Sequence, residues 1–584
     1  EELMSRGMKF LLHTLISIVL LSAVLWATHP PLIAHERSPD GPLVSVTLPW
    51  QFEDPAVGKE LEVYFKNDWR APARWWIIPD DELKAIRING VNVSLAAVPP
   101  GGLSDYGNGF YIDLSSYLKP GDNTLLFTLD NHSGSGGLDI RPHLSIWQNA
   151  LFIIALVPFV LGLGGIFGLR LPQIFLLIAS LIPIQAYWSF TPWYERGHDA
   201  GGGGGHLDYV IWVATKLALP RPTDGWTFYH PPLYYICSAA VWKWAQLFAL
   251  PGPEAVQVFS LSLWMVFLAA SVGALNYSYR HHPQHVIAVT AALAFWPVGI
   301  MHSVRIGNDA MLYATVAVGM FFLVRWWRRQ QTSDLLWMSF CVMLAFLSKS
   351  NAAAFAATAG ALVAWRVVRP GKSERKKQWL NMAIFTAFAG CGVVLSLASK
   401  IYYYLHGQIG NWLIANVTGQ DNALRVPVTI KAFLPLDIPT FLTAPWMRAY
   451  VDASGRGNFW NYLLRSALTG EFDLPGNMQI GIAYVWGVLL LTLIILALRR
   501  VSWPVIDWRS HSCRRHLPWL LAAALWLASI LALRVEAPFA SSNDFRYVLP
   551  MLVPILMWFA WSGRLAVGLL YAVVPISLTF FMTL

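Results

Sequence analysis

Charge is what this 584-residue chain has least of: Asp, Glu, Lys and Arg make up 13%, against roughly 25% in soluble domains. That deficit excludes a soluble enzyme, a disordered chain and a fibrous protein. Cysteine is scarce as well. The four, Cys237, Cys341, Cys391 and Cys513, are isolated and lack metal-ligand spacing; none falls in the polar stretch 28–145, so disulfides cannot hold it together. Acidic residues number 33 against 42 basic ones, and the resulting +9 could suggest nucleic acid. In a membrane protein the same excess belongs to cytoplasmic loops, so its position decides. What abounds is apolar. Hydrophobic residues reach 56%, with 29 Trp, 21 Tyr and 31 Phe, the aromatic load of a chain anchored repeatedly at membrane interfaces.

Residues 10–27 are a short apolar segment behind Arg6 and Lys9, either an uncleaved signal anchor or a signal peptide. In both cases the adjoining polar segment is exported. About 40–143 reads as short strands: LVSVTLPWQF, ELEVYFKN, RWWII, LKAIRINGVNVSL, GFYIDL and TLLFTLDN, with Asn89-Gly90 signalling a hairpin. Short strands with regular turns predict a β-sandwich. The run YIDLSSYLKPGDNTLLFTL resembles the sugar-binding jelly roll attached to many glycoside hydrolases. Trp50, Trp69, Trp75 and Trp76 suit sugar stacking or core packing, the latter expected for at least two.

From 147 onward apolar segments of spanning length recur, at about 147–168, 172–190, 256–278, 284–302, 309–327, 333–348, 351–367, 380–401, 479–498, 517–534, 547–562 and 565–583. Placing Arg170, Arg280, the run 325–329, the stretch 366–377, the stretch 499–515 and Arg564 in the cytoplasm imposes one condition. The apolar segment 231–250 must not cross, and Lys243 at its centre would cost about 2.5–3.5 kcal/mol to insert. It is read as an interfacial or re-entrant helix. The expectation is a polytopic α-helical membrane protein of about thirteen spans. Its regions are an anchor (1–28), an exported β-sandwich (29–145), a membrane core (146–401) with an exported loop (191–255), a long exported loop (402–478) and C-terminal membrane helices (479–584).

The polar chemistry collects on the exported side. ERGHDAGGGGGHLDYV brings His198, Asp199, His206 and Asp208 around five glycines, able to supply a general base or to hold a divalent cation such as Mg, Mn or Zn. The glycines lack the phosphate-loop pattern, so no nucleotide cofactor is expected. In WTFYHPPLYY, Pro231-Pro232 stiffens the next helix and aims His230 back at that loop, as a metal or substrate ligand or as a structural histidine. In MHSVRIGNDAMLY, Asn308 and Asp309 would cap a helix, and Asp309 would also sit near Arg305 to meet a polar substrate. Tyr402, Tyr403, Tyr404, Trp412, Trp446 and Trp460 with Arg425, Arg448, Arg456 and Arg465 suit a glycan or lipid acceptor, or equally an interface belt.

Taken in order, the first-loop Asp, then HPPLYY, then R-x-x-N-D-A resemble the polyprenyl-phosphate-sugar-dependent glycosyltransferases of the C superfamily. The nearest branch contains protein O-mannosyltransferases and the lipid A aminoarabinose transferase. The likeness covers roughly 170–350, with a weaker echo at the C-terminus. It implies Asp199 as base or metal-associated carboxylate, Asp309 as second site carboxylate and His230 (with His206) as possible metal ligands. The five-glycine stretch exceeds the family's loop, so Asp208 could replace Asp199. It further implies Lys349 of LSKSN and Arg546 and Tyr547 of NDFRYVLP beside the donor. Cations there, Arg305 included, suit a lipid phosphate that gains charge as it leaves. The activity implied is inverting transfer, at the exported face of the inner membrane, from a polyprenyl-phosphate sugar to a glycan, lipid or protein acceptor. A flippase for lipid-linked glycans and a membrane-anchored glycan-binding protein are the competing classes.

Overall fold

The computed structural model describes residues 2–37, 42–52, 55–72, 74–80, 82–105, 109–132, 134, 136–191, 204–369, 374–410, 424–471, 473–474, 476–500 and 511–584. The chain forms two compact units, Leu15–Leu156 with Ala245–Pro251, and Glu1–Thr14 with Val157–Trp244 and Gly252–Leu584.

The smaller unit holds strands β1 (Ile33–Arg37), β2 (Val44–Val46), β3 (Trp50–Phe52), β4 (Ala56–Asn67) and β5 (Arg74–Asp80). They continue with β6 (Glu82–Ile88), β7 (Val91–Asn92), β8 (Phe110–Asp113), β9 (Gly121–Asn131) and β10 (Gly136–Pro142). A six-stranded sheet runs β2-β1-β4-β9-β6-β7, a four-stranded sheet β3-β10-β5-β8. Alternation places Leu61, Val63 and Phe65 of β4 and Phe127 of β9 in one core with Trp75, Ile77 and Ile140 of the other sheet. The Asn-Gly hairpin is present: Ile88 pairs with Val91 across Asn89 (φ 50°) and Gly90 (φ 84°), left-handed residues that such a turn requires. Two strands escaped the sequence reading, β1 and β10. The latter opens on two glycines, and a Cβ at Gly137 would lie 2.5 Å from the Trp50 carbonyl, so the missing side chain is what lets β3 approach. Trp50 and Trp75 belong to the core, Trp76 is buried against Tyr111, and Trp69 is 74% exposed.

The helices begin with α1 (Glu2–Thr28), α2 (Ile146–Phe167), α3 (Leu171–Phe190), α4 (His206–Lys216), α5 (Leu233–Leu247) and α6 (Gly252–Ser278). Next come α7 (Pro283–Ala294), α8 (Pro297–Ser303), α9 (Asp309–Arg329), α10 (Thr332–Ser348), α11 (Ala352–Val368) and α12 (Arg375–Leu405). Short helices α13 (Ile430–Phe433) and α14 (Ile438–Thr443) precede α15 (Phe459–Thr469), α16 (Asn477–Arg499), α17 (His511–Glu536), α18 (Leu552–Trp561) and α19 (Arg564–Met582).

Among the described residues nine helices are long and apolar enough to cross a bilayer, or ten if the bent pair α7–α8 is one span. That pair turns by 56° where Pro297 can no longer donate to the helical ladder. The three remaining expected spans are shorter. Helices α10 and α11 have 17 residues each, the lower limit for a crossing. Stretch 547–562 is a 3-10 segment (Phe545–Met551) leading into the ten-residue α18. Pro550 withholds a donor there, and Val548 (φ −126°, ψ 17°) leaves the helical path. Segment 231–250 forms α5, whose 15 residues reach about 22 Å, short of a hydrocarbon core of about 30 Å.

Apolar side chains point outward where a soluble protein would not allow it: Leu11, Leu12 and Val19 on α1, Leu380, Val394 and Leu395 on α12. Helices α6 and α9 form the buried centre, with Trp264 and Phe267 against Tyr313. The basic end of α9 is anchored by Arg325, 3.0 Å from Asp334. It lies about 24 Å along the helix from Asp309, so the two ends differ in chemistry across nearly a bilayer's thickness.

Candidate functional site

Asp309 is the first residue of α9, and Asn308 precedes it. The capping expected of them is not what they do. Asn308 makes no side-chain capping bond and instead donates Nδ2 to the Ser348 carbonyl at 2.9 Å. Asp309 turns toward the residue that terminates α10: Lys349 Nζ donates to its Oδ1 at 2.6 Å, with 8% of the lysine side chain and 17% of the aspartate exposed.

The loss of regular helix at 545–551 delivers Arg546 and Tyr547 to the same place. Tyr313 Oη donates to the Arg546 carbonyl at 2.6 Å, and Asn351 Nδ2 to the Tyr547 carbonyl at 3.3 Å. Both backbone carbonyls left over by the irregular turn are thereby satisfied. Arg546 donates to Tyr547 Oη at 3.2 Å. Lys349 Nζ and the Arg546 guanidinium lie 4.8 Å and 5.1 Å from the centre of the Tyr547 ring, so one aromatic ring serves two cations. Behind Arg546 sits Asp544, buried, with Oδ1 accepting the Arg546 N–H at 2.9 Å and Oδ2 3.6 Å from Nε. Burial pushes the Asp544 carboxyl up to about 6, although Arg546 pulls it down.

Asp309, Lys349, Asn351, Arg546 and Tyr547 line a cavity of about 690 Å³ together with Arg305, His206, His230 and His302. Arg305, Asp309, Lys349, Arg546 and Tyr547, named from sequence as donor-binding or catalytic, reach it from three separate stretches of chain. His206 and His230 stack with ring centres 5.6 Å apart, and His206 Nδ1 is 2.7 Å from Tyr235 Oη. Burial, then the nearby Lys349, holds the His230 imidazole well below its ordinary value, so it is neutral at pH 7.

Asp208 has a different task. Its Oδ2 accepts the N–H groups of Gly204 (2.8 Å) and Gly205 (2.9 Å), closing the entry to α4, and it does not line the cavity. Asp199 and His198 lie outside the described residues. His302, Glu471 and Asp473 in the cavity wall, and Asp544 behind Arg546, are not marked as site residues by the sequence motifs. Only Asp544 carried a local signal, an acidic residue two before Arg546 in a cap position.

The guanidinium groups of 402–478 divide. Arg465 is fully buried, donates to the carbonyls of Phe441 and Ala483, and stacks on the Phe441 ring at 4.3 Å. Arg456 pairs with Asp452, and Arg448, which lines the cavity, with Asp473. Trp446 is buried near Phe580, and Trp412 lies outside the described residues.

His206 and His230 adjoin the segment that holds His198 and Asp199, which lies outside the described residues. Among the described residues the only group of three ligand atoms within 4.8 Å of one another is Glu82, Asp130 and His132 of the β unit. Asp309 is already engaged by an ammonium, and the cations around it would repel a metal. The β-unit group is itself crossed by Lys84, 2.7 Å from Glu82 and 3.5 Å from Asp130.

No protein-family model matches the chain, and no curated protein matches it.

Proposed function

We propose that the chain is an integral membrane glycosyltransferase of the C-superfamily type. It would move a sugar from a polyprenyl-phosphate donor to a glycan, lipid or protein acceptor at the exported face of the inner membrane, with about thirteen crossings and an exported jelly-roll domain. The carrying observation is the convergence of Arg305, Lys349 and Arg546 on one cavity that also holds Asp309, the first residue of the membrane-length helix α9. A lipid-linked sugar phosphate carries one negative charge and leaves as a monoester with more, so preset cations favour the departing group over the bound donor. Tyr547 fixes two of those cations on one ring and limits their reorganisation during the step. The acceptor oxygen attacks the anomeric carbon from the face opposite the phosphate, which inverts that centre. No covalent sugar intermediate or nucleotide is required by this scheme.

A flippase for lipid-linked glycans is favoured by one feature, the breaks at Pro297 and at 545–551, since transporters use discontinuous helices. A single assay separates the two readings. Membranes with and without the protein are given radiolabelled polyprenyl-phosphate sugars. Transfer of label into a new covalent product supports the transferase; movement of intact donor across the bilayer without such a product supports the flippase.

A further inference from the structure

The transferase reading leaves open which group removes the acceptor's proton. Three described carboxylates line the cavity, and two are ion-paired: Asp309 with Lys349, Asp473 with Arg448. The third, Glu471, has no ionic partner among the described residues. Among the described residues its side chain accepts one hydrogen bond, from Tyr462 Oη to Oε2 at 2.8 Å. Tyr462 is fully buried on α15, and burial together with Glu471 itself holds its phenol far above the ordinary value, so it remains a donor. Helix α15 ends at Gly470 (φ 67°), where the left-handed backbone turns the next residue back toward Tyr462. The carboxylate is therefore held through Oε2 on a residue that lines the cavity. Asp208, by contrast, is spent on backbone N–H groups away from the cavity.

We infer that Glu471 is the general base of the transfer, an inference that rests on the glycosyltransferase reading. As the acceptor oxygen bonds to the anomeric carbon, its proton passes to Glu471. The carbon–oxygen bond to phosphate breaks, and its electron pair leaves on the polyprenyl phosphate near Lys349 and Arg546. Tyr462 acts as a positioning residue. Carboxylates held in this way contribute about 10²–10⁴-fold to such steps.

The full-length protein, reconstituted in vesicles with labelled polyprenyl-phosphate sugars, tests this with two kinds of nucleophile. Hydroxyl acceptors of a membrane extract must lose a proton; azide has none to lose. Glu471→Ala and Glu471→Gln are expected to lower hydroxyl transfer about 100-fold or more while glycosyl azide forms at close to the wild-type rate. Hydroxyl transfer within about threefold of wild type in either variant overturns the assignment, the threshold being far below a base's usual contribution. So does equal loss of both reactions in a Glu471→Gln protein that still binds polyprenyl phosphate. If wild-type protein forms neither product from any donor, the transferase reading itself fails.

Discussion

Lys349 Nζ donates a 2.6 Å hydrogen bond to Asp309 Oδ1, tying the end of α10 to the start of α9 inside the cavity. A buried pair of this kind is costly to break because the survivor keeps its charge without a partner. Asp309→Asn is therefore expected to lose sugar transfer and also about 3–5 kcal/mol of stability. The double change Asp309→Asn with Lys349→Met should regain most of that stability and none of the activity. Thermal unfolding in detergent beside the transfer assay checks both; an active double variant would remove this pair from the mechanism.

Asp544 gives the site a pH dependence. Its carboxyl titrates at about 6 in the fold and near 3.8 in its unperturbed state. Between those values the folded protein holds the extra proton, so this group's contribution to stability is present below pH 3.8 and lost as pH rises through about 6. Below about 6 it also ceases to offset Arg546, and the cavity becomes more positive toward a donor whose single charge does not titrate. Donor KM is expected to fall severalfold from pH 7.5 to pH 5.5, and Asp544→Asn to keep the low-pH value throughout. A KM profile of Asp544→Asn that still follows wild type contradicts this.

Much of the fold was legible in the sequence. Period-two alternation in ELEVYFKN and TLLFTLDN gave β4 and β9, and Asn89-Gly90 gave the hairpin, because each signal is local. Strand β10 was not readable, since its glycines are chosen for the approach of β3, a neighbour distant in sequence. The long apolar runs showed where helices form, but the prolines that break 284–302 and 547–562 only acquire meaning once a cavity forms beside them. Arg305, Asp309, Lys349 and Arg546 could be picked out as polar residues at the ends of apolar runs. Glu471 could not, because nothing in its own neighbourhood marks it and its role comes from Tyr462 and from the pairing of every other described carboxylate in the wall.

Arg465 belongs to the scaffold rather than to an acceptor site. Its guanidinium bonds the Phe441 and Ala483 carbonyls, and a Cβ at Gly487 would lie 2.9 Å from it. Arg465→Met is expected to cost about 2–4 kcal/mol, by leaving buried carbonyls unpaired, with donor and acceptor KM unchanged in the folded fraction. A stable variant with altered acceptor KM would assign Arg465 to binding instead.

Topology can be tested on α5. Gly252 is unsuited to a reporter, since a Cβ there would meet the Trp242 ring at 2.5 Å, whereas Leu247 is 75% exposed. A single cysteine at Leu247, in a background lacking the native four, should react with a membrane-impermeant maleimide from the exported side. Labelling only from the cytoplasm would mean that 231–250 crosses the membrane.

The most direct test measures sugar transfer by the purified protein in vesicles with Arg546→Ala and Arg546→Lys beside wild type. A cation facing the departing phosphate should appear in kcat more than in KM, with about 10²–10³-fold lost in the alanine variant and partial recovery with lysine. Transfer by wild type with this pattern is the expected result. Undiminished transfer in Arg546→Ala, or no transfer by wild type from any polyprenyl-phosphate sugar, would contradict it.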